Sequence, residues 1–142
     1  MSRYVPIRNI DHDSFDRYGR IMEFSEGYPE AFEIIVRERE PGWRLAIFKF
    51  YDKKIKVIEN HPASMESFEP LKGIALLLVA ENANPADYEV FLLDKPVCLN
   101  KGTWHQVISL TKEAQVKIAE NDEVATEFFE LPGEIAPGVI GL

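Results

Sequence analysis

Histidines and the acids beside them are the residues of this chain with the clearest capacity for chemistry. Of the three histidines, His12 lies in a polar segment and is expected on the surface, whereas His61 and His105 each lie where a strand pattern meets a turn. Glu59 stands two residues before His61, so on a regular strand both side chains point the same way. Glu66 can face the same space if the chain reverses in the turn between them. Two imidazoles and one or two carboxylates converging on one face would suit a divalent transition metal.

The elements that must position these side chains are predicted to be strands. Runs rich in β-forming residues, separated by Asn, Asp, Pro, Lys and Gly turns, occupy 43–50, 54–61, 74–79, 88–93, 97–99, 104–110 and 114–118. The run 74–79 is apolar at every position, as expected for a strand that is buried on both faces. About eight short strands without a long helical pattern between them predict a β-sandwich or a barrel.

The two ends of the chain show different patterns. A short helix is predicted within 11–19, where Asp11 or Asp13 can cap its start and Gly19 can end it. Apolar residues alternate in 31–40, and the segment 131–142 contains two prolines and three glycines. We therefore expect one domain over 1–142, with the helix and leading strands in 1–42, the barrel core in 43–130 and an irregular strap in 131–142.

Composition excludes several classes of protein. The 142 residues carry a net charge of −8, with 24 acidic against 16 basic residues, which disfavours binding to nucleic acid. A single cysteine, Cys98, cannot form an internal disulfide. The chain starts without the apolar core of a signal peptide, and its most apolar stretch, 74–80, is far shorter than the roughly 20 residues that span a bilayer. We expect a cytoplasmic protein with a small-molecule substrate and no membrane partner.

The spacing of the site residues resembles the cupin superfamily, whose motifs read His-x-His, three or four residues, Glu, six residues, Gly, and then Pro-x-Gly-x-x-His. The residues that match these motifs are His61, Glu66, Gly73, Gly102 and His105. Glu59 stands where the first histidine would be. The resemblance implies an all-β fold, the double-stranded β-helix or jelly-roll barrel of the cupins. It also implies a metal ion held by His61, Glu66 and His105, and leaves nickel, zinc, manganese and iron open.

A narrower resemblance is to the ureidoglycolate lyase family, formerly called ureidoglycolate hydrolases. It rests on Glu-x-His-Pro from Glu59, on Phe-x-Pro-Leu-Lys-Gly at 68–73 and on Lys-Gly-Thr-Trp-His at 101–105. The family also has a short helix ending in Phe-x-x-Tyr-Gly, found here at 15–19. The resemblance covers roughly 11–110 and implies cleavage of ureidoglycolate into glyoxylate and urea.

This resemblance also implies roles for residues around the metal. Glu59 would be either the fourth ligand or the general base that removes the substrate's hydroxyl proton. Lys72 matches the family's lysine before the glycine, and it or Arg44 would pair with the substrate carboxylate. Glu59 and Lys72 are thus the catalytic candidates. Arg44, Phe68 and Trp104 are the substrate-binding candidates, with the two aromatic rings expected as pocket wall or core.

Two other functions fit the same residues. One is a cupin isomerase or dioxygenase that uses the same metal differently, and the other is a non-catalytic cupin that binds a small molecule. Because pairing of two copies would bury edge strands, we also expect a homodimer.

Overall fold

Strands make up almost all of the regular structure in the computed structural model, which describes residues 4–138. The elements are β1 (Ile7–Arg8), α1 (His12–Phe15), β2 (Gly19–Ile21), β3 (Trp43–Phe50), β4 (Ile55–Asn60), β5 (Glu66–Lys72), β6 (Ala75–Ala80), β7 (Tyr88–Leu92), β8 (Val97–Leu99), β9 (Trp104–Ser109), β10 (Ala114–Asn121) and β11 (Glu127–Ile135). The predicted all-β fold is confirmed, and β3 has the bounds that its run of β-forming residues predicts.

The strands form two sheets that pack face to face as a jelly-roll barrel. The first sheet has six strands in the order β1-β7-β6-β9-β4-β11, and the second has five in the order β2-β8-β5-β10-β3. Neighbouring strands are antiparallel, except that β1 runs parallel to β7. The inner faces of β4 and β9 in the first sheet therefore lie opposite the inner faces of β3, β5 and β10 in the second.

Strand β6 holds the barrel together because all six of its residues are buried. Leu77 and Val79 join the apolar core between the two sheets. Leu76 and Leu78 join a second apolar cluster on the other face of the six-stranded sheet. Burial of each such side chain stabilises the fold by about 1.5–3 kcal/mol. The prediction of a strand that is buried on both faces is confirmed.

The N-terminal helix is shorter than its sequence pattern predicts. Asp11 caps α1, and its Oδ1 accepts a hydrogen bond of 2.8 Å from the backbone N–H of Ser14. The helix ends at Phe15, and residues 16–18 form a turn. Gly19 already belongs to β2, where it pairs with Leu99 of β8. A Cβ at position 19 would lie 2.2 Å from a backbone oxygen of the neighbouring strand, so this close pairing requires glycine.

Two segments differ from their predicted structure. Residues 31–40 form no strand, and the alternating residues Phe32 and Ile34 are exposed. A strand also needs a neighbouring strand to pair with, and the alternating pattern does not supply one. The predicted irregular strap begins instead as part of β11, which pairs with β4 and continues to Ile135. An irregularity in the register after Glu130 accommodates Pro132, which has no N–H to donate. Residues 139–142 lie outside the described residues.

Strand β3 is an edge of the five-stranded sheet. Its apolar residues Trp43, Leu45 and Ile47 are 72%, 57% and 66% exposed, and Ile47 also lines the cavity between the sheets. Alternate residues of β3, beginning with Arg44, face the interior of the barrel. Within residues 4–138, no helix has the length and apolar character needed to cross a membrane.

Candidate metal and substrate site

A cavity of about 390 Å³ lies between the two sheets. Its polar lining includes Arg44, Glu59, His61, Glu66, His105 and Glu120. Phe68 contributes to the apolar wall, and its ring meets that of His105 edge-on at 5.6 Å between centroids. His12, by contrast, is exposed on α1.

The two buried histidines converge on one carboxylate oxygen. Oε1 of Glu66 lies 3.1 Å from Nε2 of His61 and 2.9 Å from Nε2 of His105. Glu59 approaches the same nitrogens from its place opposite His105 in the β4–β9 pair, with Oε1 at 3.9 and 3.8 Å. The structure therefore brings together the four residues that the sequence motifs single out. We call His61, Glu66, His105 and Glu59 the Glu66 cluster.

Backbone contacts orient both imidazole rings. Nδ1 of His105 lies 3.0 Å from the carbonyl oxygen of Thr103, and Nδ1 of His61 lies 3.3 Å from that of Ala125. A carbonyl oxygen only accepts, so Nδ1 of His105 carries a hydrogen. Nδ1 of His61 also lies 3.2 Å from the hydroxyl of Thr126, which can donate or accept. In both rings Nε2 faces the carboxylates. A neutral ring in this orientation presents a lone pair to Glu66, so a proton or a metal cation must lie between them.

The donor atoms of the Glu66 cluster suit a divalent metal. Oε1 of Glu66 and Nε2 of His105 are buried, and neither has a well-aligned hydrogen-bond partner among the described residues. Ligand atoms of Glu59, His61 and His105 lie within 4.8 Å of one another, as do those of His61, Glu66 and Glu120. Imidazole nitrogens with carboxylate oxygens are ligands that manganese, iron, nickel and zinc all accept. These ligand atoms are already oriented and lack well-aligned hydrogen-bond partners, so they fit the predicted metal.

The electrostatics of the cluster keep Glu66 ionised. Burial raises the pKa of Glu66, but contacts with His105 and His61 outweigh burial and lower the pKa to about 2. Burial lowers the pKa of His61, whereas its contact with Glu66 raises it, and the net result is a pKa above the usual value. A charged carboxylate is therefore available at neutral pH to neutralise a bound cation.

Two glycines of the predicted motifs allow the turns that place these side chains. Gly102 has φ +78°, and its N–H donates to the carbonyl oxygen of His61 at 3.0 Å, which ties the turn before β9 to the end of β4. Gly73 has φ +74°, and a Cβ there would lie 2.3 Å from the carbonyl oxygen of Glu113. A side chain at either position would be strained, because L-residues rarely adopt these angles.

Sequence reasoning missed Glu120, which pairs with Arg44. The two residues lie opposite each other in the β3–β10 register. Nε and Nη2 of Arg44 donate to Oε2 of Glu120 at 3.0 and 2.7 Å, and the Glu120 side chain is only 9% exposed. We call these residues the Arg44–Glu120 pair. Position 120 continues the inward-facing series 114, 116 and 118, so extending the predicted strand by two residues would have found it.

Two predicted site residues lie outside the cavity. Trp104 points to the opposite face of β9 from His105 because adjacent strand residues alternate. Its ring packs near Phe129 in the second apolar cluster, and its Nε1 donates to the carbonyl oxygen of Asn82 at 3.1 Å. Lys72 is exposed at the end of β5 opposite to Glu66. At the usual rise of a strand, the two residues are roughly 20 Å apart. The cavity lining contains neither residue.

Comparison with known proteins decides the family. Residues 33–130 match the ureidoglycolate lyase family, which is well over half of the chain. The chain belongs to this family. The resemblance that its motifs indicate is thereby confirmed.

Relatives match along most of their length but at low identity. The ureidoglycolate lyase of Rhizobium etli is 23% identical over 158 aligned positions, which cover 93% of this chain and 95% of the relative. The ureidoglycolate lyase of Agrobacterium fabrum is 25% identical over 126 positions, which cover 74% of this chain and 76% of the relative. Among solved structures, a cupin 2 domain-containing protein from Halorhodospira halophila has a TM-score of 0.50 at 13% identity, with 82% of each chain covered. The predicted cupin fold agrees with this likeness.

Proposed function

We propose that this member of the ureidoglycolate lyase family is a metal-dependent lyase that cleaves ureidoglycolate, or a closely related ureido hydroxy acid, to glyoxylate and urea. The observation that carries the proposal is the convergence of two oriented Nε2 atoms on Oε1 of Glu66, at 3.1 and 2.9 Å, inside a cavity of substrate size. Family membership selects the reaction from those that such a site can perform.

We further propose that His61, Glu66 and His105 hold the metal ion. When bound, a divalent metal acts as a Lewis acid, which makes a hydroxyl group near it easier to deprotonate. The two rings contribute neutral nitrogens that backbone carbonyls already orient. Glu66 contributes the negative charge that offsets the cation, and its carboxyl already has a pKa lowered to about 2.

Glu59 is placed to move the proton in this reaction. Its side chain is 32% exposed, and its Oε1 lies farther from the two Nε2 atoms than Oε1 of Glu66 does. In the proposed step, Glu59 accepts the hydroxyl proton and the oxygen forms a double bond to carbon. The carbon–nitrogen bond then breaks with its electron pair on nitrogen, which takes a proton and leaves as urea. Atoms and charge balance without an oxidant.

The test is release of glyoxylate from ureidoglycolate by protein loaded in turn with nickel, manganese, zinc and iron. We expect metal-dependent turnover that falls at least about 100-fold in His105→Ala, since even residues that only support metal ligands affect activity by 10–100-fold. His12→Ala, which removes an exposed histidine, should retain full turnover. No glyoxylate with any metal would contradict the proposal and favour a binding cupin. Oxygen consumption with iron would instead favour a dioxygenase.

We also propose that the chain forms a homodimer through β3. Within residues 4–138 this edge strand has a neighbour on one side only, and its outward residues Trp43 and Leu45 are largely exposed. Antiparallel pairing with β3 of a second copy would satisfy the free backbone groups and cover the apolar side chains. Light scattering should give twice the mass of one chain, and Leu45→Glu, which alters no residue of the cavity lining, should give a monomer. A wild-type monomer at micromolar concentration would contradict this proposal.

A further inference from the structure

The Arg44–Glu120 pair offers a second recognition element in the same cavity. We infer that this pair binds the ureido group of the substrate, an inference that rests on the proposed function. The Glu66 cluster would then take the hydroxy-acid end, where the bond to nitrogen breaks. The pair thereby selects substrates that carry a terminal –NH–CO–NH₂ group.

The geometry leaves one oxygen of Glu120 available to a ligand. Both contacting nitrogens of Arg44 donate to Oε2, at 3.0 and 2.7 Å. Among residues 4–138, Oε1 of Glu120 accepts no hydrogen bond from a side chain or the backbone. Glu120 also has a carboxylate oxygen within 4.8 Å of ligand atoms of His61 and Glu66. A molecule held by the Glu66 cluster is therefore within reach of Glu120.

The charge of the pair favours a neutral polar group over a carboxylate. The sequence-based expectation is that Arg44 pairs with the substrate carboxylate. In the structure, however, the guanidinium is already neutralised by Glu120 at hydrogen-bonding distance. A substrate carboxylate beside Arg44 would also meet the negative charge of Glu120, which largely cancels the attraction. A group with N–H donors meets no such repulsion and is attracted by the carboxylate.

A ureido group has the complementary set of donors and acceptors. Along one edge of the group, its terminal NH₂ can donate to Oε1 of Glu120 while its carbonyl oxygen accepts from Arg44. Arg44 uses Nε and Nη2 on Glu120 and Nη1 on the carbonyl oxygen of Asp122 at 3.3 Å. Three of the five guanidinium N–H groups are thus engaged, and two remain to donate to the ureido carbonyl. The pair therefore matches the edge of the ureido group that carries the carbonyl oxygen and the terminal NH₂.

The test compares two unreactive ligands that differ in one group. N-carbamoylglycine keeps the carboxylate and the ureido group but lacks the hydroxyl, so it cannot be cleaved. N-acetylglycine replaces the terminal NH₂ by a methyl group. Calorimetry would use protein loaded with the most active of the four metals, or with manganese if none supports turnover. We expect wild-type protein to bind N-carbamoylglycine about tenfold more tightly, the ratio typical of a hydrogen bond to a charged group.

Glu120→Gln is the informative variant because it keeps the size of the side chain. Arg44 would hold the amide oxygen, so the amide NH₂ would face the ureido NH₂ and two donors would oppose each other. We expect the preference for N-carbamoylglycine to fall to about twofold or less, with N-acetylglycine binding unchanged, which also shows that the variant is folded. Glu69→Gln is the matched control, since Glu69 pairs with Lys117 at 2.6 Å on the outside of the same sheet.

Each outcome separates this inference from the proposed function. Loss of the preference in Glu120→Gln supports the inference, even if ureidoglycolate is not cleaved. An equal preference in wild type and Glu120→Gln overturns it, even if ureidoglycolate is cleaved. Equal or absent binding of both ligands by the wild-type protein also overturns it, because the pair then makes no distinction at the ureido group.

Discussion

The Glu66 cluster and the Arg44–Glu120 pair lie in one cavity but differ in charge balance. The cluster sets two carboxylates against two imidazoles and has unsatisfied donor atoms, so it calls for a cation. The pair is neutral overall, and the hydrogen bonds that Arg44 donates to Glu120 raise the pKa of Arg44 above its usual value. We therefore propose that one glutamate of the cavity, Glu66, serves a metal and that another, Glu120, serves a polar group of the substrate. The two proposed roles differ because Glu66 lies between two histidines, whereas Glu120 is paired with an arginine.

The largest expected effect distinguishes Glu66 from other acids of the barrel. Glu66→Gln keeps the shape of the side chain but removes the charge that neutralises a cation. We expect metal affinity, measured by competition with a chelator, to fall at least about 100-fold, and turnover to fall with it. Glu69→Gln should change neither. Unchanged metal affinity in Glu66→Gln would break the comparison, because the cluster would then not be the cation site.

Glu59 tests whether the two acids of the cluster have separate tasks. As a general base, Glu59→Gln should lower kcat by about 10²–10⁴-fold, leave KM nearly unchanged and retain the metal. Its longer distances to the histidine nitrogens, 3.9 and 3.8 Å, favour this outcome over ligation. Metal content measured on the same sample distinguishes the two roles. A variant that loses its metal would assign Glu59 as the fourth ligand.

Arg44 tests the pair through substrate affinity. A lysine at position 44 keeps the charge but cannot reproduce the two hydrogen bonds that Nε and Nη2 of Arg44 donate to Oε2 of Glu120. We expect Arg44→Lys to raise KM for ureidoglycolate by about 3–10-fold with a smaller change in kcat, as for lost binding away from the reacting bond. Steady-state kinetics measure both constants. A fall in kcat alone would place Arg44 at the chemical step instead.

Lys72 is expected to give the smallest effect. Its side chain is exposed and lies outside the cavity, so Lys72→Ala should change kcat/KM by less than about twofold. The family resemblance alone makes Lys72 a catalytic candidate. A tenfold loss of kcat/KM, with unchanged unfolding temperature, would show that the chain brings Lys72 to the substrate after all.

The sequence predicts the Glu66 cluster better than the Arg44–Glu120 pair for a physical reason. In the cluster, Glu59 and His61 share a face through the two-residue period of a strand, and the resemblance to the cupin motifs links Glu66 and His105 to them. Glu120 and Arg44 are 76 residues apart, and only the pairing of β3 with β10 reveals their contact. Local patterns do not specify which strands become neighbours.

The same principle explains the other differences. Residues 31–40 alternate like a strand but lack a partner, whereas β11 finds one in β4 despite Pro132 and Gly133. Trp104 could have been assigned correctly, since it is adjacent to His105 and must face the opposite side of β9. Of the two expectations for its ring, pocket wall or core, the core is confirmed.

The most direct test of the metal site is anomalous diffraction from crystals grown with manganese or zinc. The account predicts one strong peak per chain within about 2.0–2.3 Å of Nε2 of His61, Nε2 of His105 and a carboxylate oxygen of Glu66. A peak bound through Glu120 instead would contradict both the metal site and the role of the Arg44–Glu120 pair. No peak at His61 and His105, in crystals that hold the metal elsewhere, would contradict the central claim that the Glu66 cluster is a metal centre.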